Sequence, residues 1–384
     1  MSAGHDYVAA MKNFARFLVV VGLTSAGVSA GVATGASSSR ATNVSAGGTF
    51  ACGLKASGSA SCWGYDADQE LGDGGHRNLS TPRSVLRLSR VVALASGWDS
   101  SCALLKAGQI DCWGSDSYGQ LGNGVTQRGS LPTRVHGIGG AVAVSVGGYF
   151  ACAVATTVTC WGSGQSGQLG DGLTKASALP RTVKGLSSAK SISAGFSHVC
   201  ALRSDGALFC WGDNSQGDLG NGSTNAALEP VRVTLSGVVQ VSAGGEHTCA
   251  LVHGGTVYCW GADGYGQIGV KSKDDSLVPV KVAGLSGVRS ISSGENHTCA
   301  LLSNHTIRCW GDNQFGQLGD DSKTNSWRPR VVRGLTKVIQ VSAGGSHTCA
   351  LLASHVVECW GYGVFGQLGD GKVTSSLDPV RARL

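Results

Sequence analysis

The triplet C-W-G occurs seven times in this chain, and its tryptophans, Trp63, Trp113, Trp161, Trp211, Trp260, Trp310 and Trp360, lie 50, 48, 50, 49, 50 and 50 residues apart. So regular a period is a severe constraint, because whatever each repeat becomes must pack against copies of itself. Each repeat holds short β-type runs separated by glycine-rich turns, the pattern of a four-stranded propeller blade. The repeats fill the chain from Ala41 to Leu384. The expected organisation is therefore a leader at 1–36 and, at 37–384, an all-β, seven-bladed propeller with four antiparallel strands per blade.

The stretch from Ala243 to Gly269 shows the unit. Small residues at Val241–Gly244 suit an inner strand crowded against the axis. Thr248–Val252 and Thr256–Trp260 flank a short turn and read as a hairpin. Pro279–Val282 opens on a residue with no N–H to give a ladder, so it suits the outer edge. Read this way the repeats begin with an inner strand and end with an outer one at Pro379–Leu384, so that no strand latches the first blade to the last; a blade boundary offset from the repeat would instead have one blade shared by both termini.

In the leader, Lys12 and Arg16 precede an apolar run, Phe17–Leu23, followed by small residues at Val28-Ser29-Ala30 and Ala33 and a serine-rich stretch at Ser37–Ser39. This is the order of a secretory signal peptide, with Met11 an alternative start. The run is short for a bilayer span and broken by Gly, Ser and Thr. No cysteine precedes Cys52, which argues against a lipid anchor. The expectation is a secreted or cell-envelope protein, free of the membrane after cleavage and monomeric.

All 14 cysteines fall in the repeats, two in each. The pairs are Cys52 and Cys62, Cys102 and Cys112, Cys152 and Cys160, Cys200 and Cys210, Cys249 and Cys259, Cys299 and Cys309, and Cys349 and Cys359. Each pair puts one cysteine on the second strand and one on the third, so the two can face across the hairpin and form one disulfide per blade. In the third repeat the gap is two residues shorter, which preserves side-chain parity. Paired cysteines agree with an oxidising compartment. Zinc is the competing use, since His198, His247, His297 and His347 each stand two residues before a cysteine. Phe50 and Phe150 take that position in repeats one and three, which marks it as packed core rather than ligand, so no metal is expected. Each tryptophan follows a cysteine directly and points to the other face, where it should pack against the disulfide side of the neighbouring blade.

Blade strands alternate in direction, so the turn after the first strand and the loop after the third emerge on one rim. The repeats differ most in these two segments. The turn supplies Trp98, Asp99, Tyr149, Phe196, Glu246, Glu295 and Asn296, and the loop supplies Tyr118, Tyr265, Phe315 and Phe365 ahead of a steady G-Q-L-G. Aromatic residues at variable loop positions bring contact area at low entropic cost, and Trp98, Tyr149 and Phe196 fall on consecutive blades. The four loop aromatics also have a plainer reading, as covers of their own glycine-rich loops.

Other chemistry finds little support. D-A-D-Q-E at Asp66–Glu70 and D-N-S-Q-G-D at Asp213–Asp218 lack the full oxygen pattern of a calcium loop. No glycine motif sits between a strand and a helix, so no nucleotide cofactor is expected. No acid and base stand apart from the repeat at a catalytic spacing. The net charge is +6, with Arg181/Lys184, Arg232, Lys281, Arg328/Arg330/Arg333 and Arg381/Arg383 on the fourth strands. Basic residues spread around a circumference discourage edge pairing rather than form a nucleic-acid face.

The recurring G-G-E-H-T-C-A-L, C-W-G-x-x-x-x-G-Q-L-G and P-V-x-V-x-G-L resemble the regulator of chromosome condensation repeat, over essentially the whole of 37–384. The resemblance implies a seven-bladed propeller. The family's namesake is a nuclear exchange factor for a small GTPase, which acts through a wedge projecting from one blade, and repeats this uniform leave no room for such an insertion. Secreted bacterial relatives fit the paired cysteines better, among them a propeller that inhibits β-lactamases through aromatics of the same turns. The expected function is a secreted, non-enzymatic binding module for another protein. The alternatives are an exchange-factor-like GTPase regulator and a glycan or cell-wall binder. A propeller sialidase would need an S-x-D-x-G-x-x-W box, and Ser204-Asp205-Gly206 has the wrong spacing for it.

Overall fold

The computed structural model describes residues 39–272 and 274–384. The leader read at 1–36 lies outside the described residues. Among the described residues twenty-eight strands form seven four-stranded sheets, and in each sheet the strands are hydrogen-bonded in chain order. In the first blade β1 spans Ala41–Ala46, β2 Phe50–Lys55, β3 Ala60–Gly64 and β4 Leu79–Ser84, each antiparallel to the next. Strands β2 and β3 are almost wholly buried because blades cover both their faces, whereas β4 lies open to solvent at the circumference.

The hairpin register explains the cysteines. In every blade the cysteine of the second strand stands directly opposite that of the third, Cys152 and Cys160 included. All seven pairs are disulfides: Cys52 with Cys62, Cys102 with Cys112, Cys152 with Cys160, Cys200 with Cys210, Cys249 with Cys259, Cys299 with Cys309 and Cys349 with Cys359. Their Cα atoms are 4.0–4.1 Å apart.

Each tryptophan packs against the disulfide of the preceding blade. Trp113 joins Cys52 and Cys62 in one cluster, Trp161 joins Cys102 and Cys112, and Trp211 joins Cys152 and Cys160. Trp260 lies with Cys200 and Cys210, Trp310 with Cys249 and Cys259, Trp360 with Cys299 and Cys309, and Trp63 closes the ring on Cys349 and Cys359. The indole N–H donates to a backbone carbonyl of the preceding blade's loop, as in Trp260 to Asp218 at 2.8 Å and Trp310 to Gln267 at 2.9 Å. This seam also accounts for the last glycine of G-Q-L-G. At Gly220, with φ +62°, a Cβ would lie 2.7 Å from the Trp260 indole nitrogen.

The fourth strand starts earlier than its proline suggests, which corrects the expected onset at Pro279. It spans Ser276–Lys281 in the fifth blade, and the last strand of the chain spans Ser376–Arg381. Val280 pairs with Cys259 but Ser276 pairs with Gly261, a register shift opposite Trp260. The same shift follows the third-strand cysteine in the other blades. Cys112 pairs with Thr133, Cys210 with Val231 and Cys309 with Arg330, and in each the ladder resumes at the glycine two residues on. These cysteines therefore mark the edge of a bulge as well as one end of a disulfide. Pro279 sits in the bulged stretch, where no ladder N–H is required of it. The inner strand likewise begins before Val241, at Val238.

Among the described residues no blade is shared between the first and last repeats. The first and last blades meet through side chains and backbone instead. Gln340 accepts from Val44 N–H and donates to Val44 C=O, both at 3.1 Å, Ser342 Oγ accepts from Ala46 N–H at 3.0 Å, and Trp63 donates to Gln367 C=O at 2.9 Å. Around the axis a head-to-tail chain of backbone hydrogen bonds links every blade to the next, and it closes where Gly345 N–H donates to Gly47 C=O at 3.0 Å.

The four histidines are core residues, each fully buried or nearly so. Nε2 of His198, His247 and His297 lies 2.8, 2.8 and 2.9 Å from the hydroxyl of Thr248, Thr298 and Thr348 on the following blade. Those hydroxyls donate onward to the carbonyls of Asp218, Gln267 and Gln317, so the imidazoles are Nε2–H tautomers. Burial holds their pKa values down, to about 4 for His198 and about 3 for His247 and His297. His347 differs, because the position corresponding to threonine in the first blade is Ala51. Neither of its ring nitrogens has a well-formed hydrogen bond, although the Phe50 backbone slightly offsets the burial that lowers its pKa to about 4.

Candidate functional site

The two segments that vary between repeats are tied together on one rim. The N–H that follows C-W-G donates to the carbonyl of the variable turn residue in all seven blades, for example Ser115 to Asp99 at 3.0 Å and Asp312 to Asn296 at 2.8 Å. Turn and loop side chains therefore project together, as strand alternation requires. The cysteines take no part in this surface. Cys112, Cys210, Cys309 and the other eleven are fully buried between blades, so their role is to hold the scaffold under the rim.

Trp98, Tyr149 and Phe196 form one surface cluster. The Trp98 and Phe196 rings meet edge to face at 5.4 Å, and Tyr149 meets Phe196 at 5.6 Å. Tyr118 extends the cluster with its ring tilted against Tyr149 at 5.5 Å, so it does more than cover its own loop. A second cluster spans the sixth, seventh and first blades. Phe315 contacts Tyr362 at 4.6 Å, Tyr362 contacts Phe365 at 5.9 Å, and Phe365 contacts Tyr65 at 5.0 Å. Tyr362 is a member that the loop reading passed over, because it directly follows C-W-G, three residues before the aromatic that attracts notice. Its signal was Tyr65 in the same position of the first repeat. Tyr265 stands between the two clusters, 39% exposed and outside both. Glu246 is exposed, and Glu295 and Asn296 are partly exposed, along the same arc.

Close to the axis, the residue after the first glycine of the turn reads Gly48, Trp98, Gly148, Phe196, Gly245, Glu295 and Gly345 around the ring. The glycines stand there for a steric reason. A Cβ at Gly48, Gly148 or Gly245 would lie 2.5 Å from the backbone carbonyl oxygen of Trp98, Phe196 or Glu295 on the following blade. Gly345 meets the Gly48 carbonyl oxygen at the same distance, so each of these four glycines is held by the backbone of the next blade whatever residue stands there. The axial mouth is a shallow cavity of about 90 Å³ with a floor of glycine backbone, and Trp98, Phe196 and Glu295 stand around it. A collar of small residues separates it from a wider cavity of about 400 Å³ inside the ring, lined by serine and aliphatic side chains of the inner strands.

Several acidic residues of the rim loops are braces. Asp66 and Asp116 accept the N–H of Leu71 and Leu121 at 3.0 and 2.9 Å, and Asn214 and Asn313 do the same for Leu219 and Leu318. Burial raises Asp66 and Asp116 to about 6. Glu70 and Asp218 occupy the glutamine position of G-Q-L-G. Glu70 accepts Asp68 N–H at 3.0 Å, much as Gln120 accepts Tyr118 N–H at 2.9 Å. Burial pushes Glu70 up to about 8 and Asp218 to about 7. Asp99 is raised to about 6 by burial, partly offset by Ser115 and Gln120. These shifts follow from loop structure and bring no acid and base together over a cleft. Arg181 and Arg330 at the circumference pair with Asp171 and Asp320 beside them.

These features define a class of protein, a seven-bladed propeller closed without a shared blade and clipped by one buried disulfide in each. The chain belongs to the RCC1-like domain family, whose model matches residues 139–383. The regulator of chromosome condensation (RCC1) repeat is matched at residues 91–120 and 107–154. Among solved structures the chain is similar to yeast RCC1 (Prp20), crystallised bound to Kap60, with 20% identity over 95% of this chain and 91% of that one and a TM-score of 0.77. Human WBSCR16 is similar at 21% identity over 85% and 94% of the two chains, also with a TM-score of 0.77. The ectodomain of the Physcomitrella patens receptor kinase CR4 shares 22% identity over 84% and 73%, with a TM-score of 0.54. At these identities the likeness is one of fold. No curated protein sequence matches the chain.

Proposed function

We propose that this protein is an exported, non-enzymatic binding module whose partner is another protein, docking on the rim of the second to fourth blades. The observation that carries the reading is the contiguous patch of Tyr118, Tyr149, Phe196 and Trp98, built from the positions at which otherwise similar repeats differ. Rigid aromatic side chains on a scaffold braced by seven disulfides lose little freedom on binding, which favours affinity from a small surface. Export is supported by the seven buried disulfides, which persist where thiols are oxidised.

The test is a pull-down from culture fluid and cell envelope, comparing the protein with a Trp98→Ala, Tyr149→Ala, Phe196→Ala triple variant that keeps its disulfides and thermal stability. Capture of a partner by the first and its loss by the second is the expected result. Equal capture by both would place the site elsewhere on the propeller. Capture of oligosaccharide alone on a glycan array would replace a protein partner with a sugar, and a nucleotide-dependent GTPase partner would restore the exchange-factor reading. Intact mass of the protein recovered from culture fluid tests export, since the expected species begins after the leader.

A further inference from the structure

The axial mouth differs in chemistry from the aromatic patch beside it. Two aromatic rings, Trp98 and Phe196, and one carboxylate, Glu295, are the side chains that stand among glycines at this height around the axis. The Glu295 carboxylate has no hydrogen-bond or ion-pair partner among the described residues, whereas Asp68 elsewhere on the rim is paired with Arg128 at 2.9 Å. Glu246 is next to it on the preceding blade, also without a cationic partner, and Asp312 adds negative charge. Burial, then Asp312 and Glu246, hold the Glu295 pKa above the usual carboxylate range, so this corner of the mouth lacks the positive charge that would satisfy it.

We propose that the axial mouth receives a cationic side chain, lysine or arginine, from the docking protein, held between the Glu295 carboxylate and the faces of Trp98 and Phe196. This rests on the protein-binding reading above and names the chemistry of the residue that anchors the partner. A cation is attracted to aromatic faces by their quadrupole, more strongly once desolvated. The glycine floor lets a long side chain approach the axis without meeting a Cβ. An aliphatic anchor would satisfy the two rings but leave the carboxylate desolvated and unpaired. An acidic anchor would be repelled by three carboxylates.

The experiment uses isolated side chains, so it does not depend on knowing the partner. The ¹⁵N-labelled protein is titrated with N-acetyl-arginine amide and N-acetyl-lysine amide, and with the neutral isosteres N-acetyl-citrulline amide and Nα,Nε-diacetyl-lysine amide. The Trp98 indole N–H signal, assigned by its absence in Trp98→Phe, is followed. The cations are expected to move that signal saturably, with the neutral isosteres about tenfold weaker or undetectable. Glu295→Gln should weaken the cations by about fivefold to tenfold and leave the neutral probes unchanged. Equal binding of cationic and neutral probes, no binding of any, or indifference to Glu295→Gln would each overturn the proposal. Partner capture that depends on Trp98, Tyr149 and Phe196 would still stand in those cases, so the two readings fail separately. If Glu295→Gln perturbs folding, seen as a spread of shifts beyond the rim, Glu295→Asp provides the second variant. It keeps the charge and should retain discrimination between arginine and citrulline.

Discussion

Replacing Glu70 with glutamine is expected to stabilise this protein at neutral pH. Glu70 is buried, and its Oε2 accepts the Asp68 N–H in the place where Gln120, Gln168, Gln267, Gln317 and Gln367 use an amide oxygen. Burial raises its pKa from 4.5 to about 8. Because the folded-state value lies above the unfolded one, the carboxyl favours folding at low pH, and that contribution is lost as pH rises from about 4.5 through about 8. The displacement corresponds to roughly 5 kcal/mol above pH 8 and roughly 3 kcal/mol at pH 7. The introduced amide offsets part of the gain, since the Gln367 amide nitrogen has no partner in its loop. An unpaired buried donor costs about 1–3 kcal/mol, leaving a net gain of about 0–2 kcal/mol at pH 7 and about 2–4 kcal/mol above pH 8. Guanidinium unfolding midpoints, disulfides intact, should favour the parent near pH 4.5, cross between about pH 5 and 7 where the ionisation penalty overtakes the cost of the amide, and favour Glu70→Gln increasingly to pH 9. A difference that does not change with pH, or a loss at pH 9, would refute the reasoning.

Three further expectations follow from the seams between blades. Ala51→Thr should give His347 the hydroxyl partner its three counterparts have, with Gln367 C=O as the onward acceptor, and raise stability by about 0.5–1.5 kcal/mol. The gain should vanish in a His347→Phe background, as a double-mutant cycle of melting temperatures would show; a gain that survives would mean the hydroxyl acts without the imidazole. Gly148→Ala should cost about 1–3 kcal/mol in thermal unfolding, because its Cβ would press on a backbone carbonyl that cannot move independently of the ring, whereas Gly206→Ala meets nothing within 4 Å and tests only the cost of its positive φ. The disulfides are fully buried, so dithiothreitol should reduce none without denaturant and all seven with it, read as a mass increase of about one dalton per cysteine; reduction of the native protein would contradict their burial.

The sequence revealed most where the repeat places a residue in the same surroundings seven times. Cysteine spacing gave the hairpin register, and parity carried it through the shortened turn between Cys152 and Cys160, which pair as their neighbours do. The position shared by Phe50, Phe150 and the histidines read as core because one pocket had to hold both ring types, and all are buried. The onset of the fourth strand was not legible. Pro279 marks a residue that gives no ladder hydrogen bond, yet such a residue sits as readily in a bulge as at a strand start, and only the pairing across Trp260 tells them apart. Nor does the spacing of Cys112, Cys210 or Cys309 from its partner show that the ladder slips just beyond it, because that slip belongs to the third and fourth strands and not to the hairpin. On the rim, the patch of Trp98, Tyr149 and Phe196 was visible in the variable positions, but the pairing of Phe315 and Phe365 through Tyr362 depends on how far neighbouring loops lean together. Spacing along one repeat carries no information about that.

Closure of the ring and character of the rim meet in the axial turns. Side chains and glycine cannot alternate strictly around seven blades, because seven is odd, so two like turns must fall side by side, and here both are glycine. They do so at Gly345 and Gly48, where the last blade meets the first and no strand is shared, and a Cβ at Gly345 would lie 2.5 Å from the Gly48 carbonyl oxygen. The close backbone approach there, with the Gly345 to Gly47 hydrogen bond and the two bonds of Gln340 to Val44, takes the place of a covalent latch. The same arrangement leaves three side chains standing around the mouth on the second, fourth and sixth blades. The break in the alternation and the join between the first and last blades thus fall at the same place on the ring.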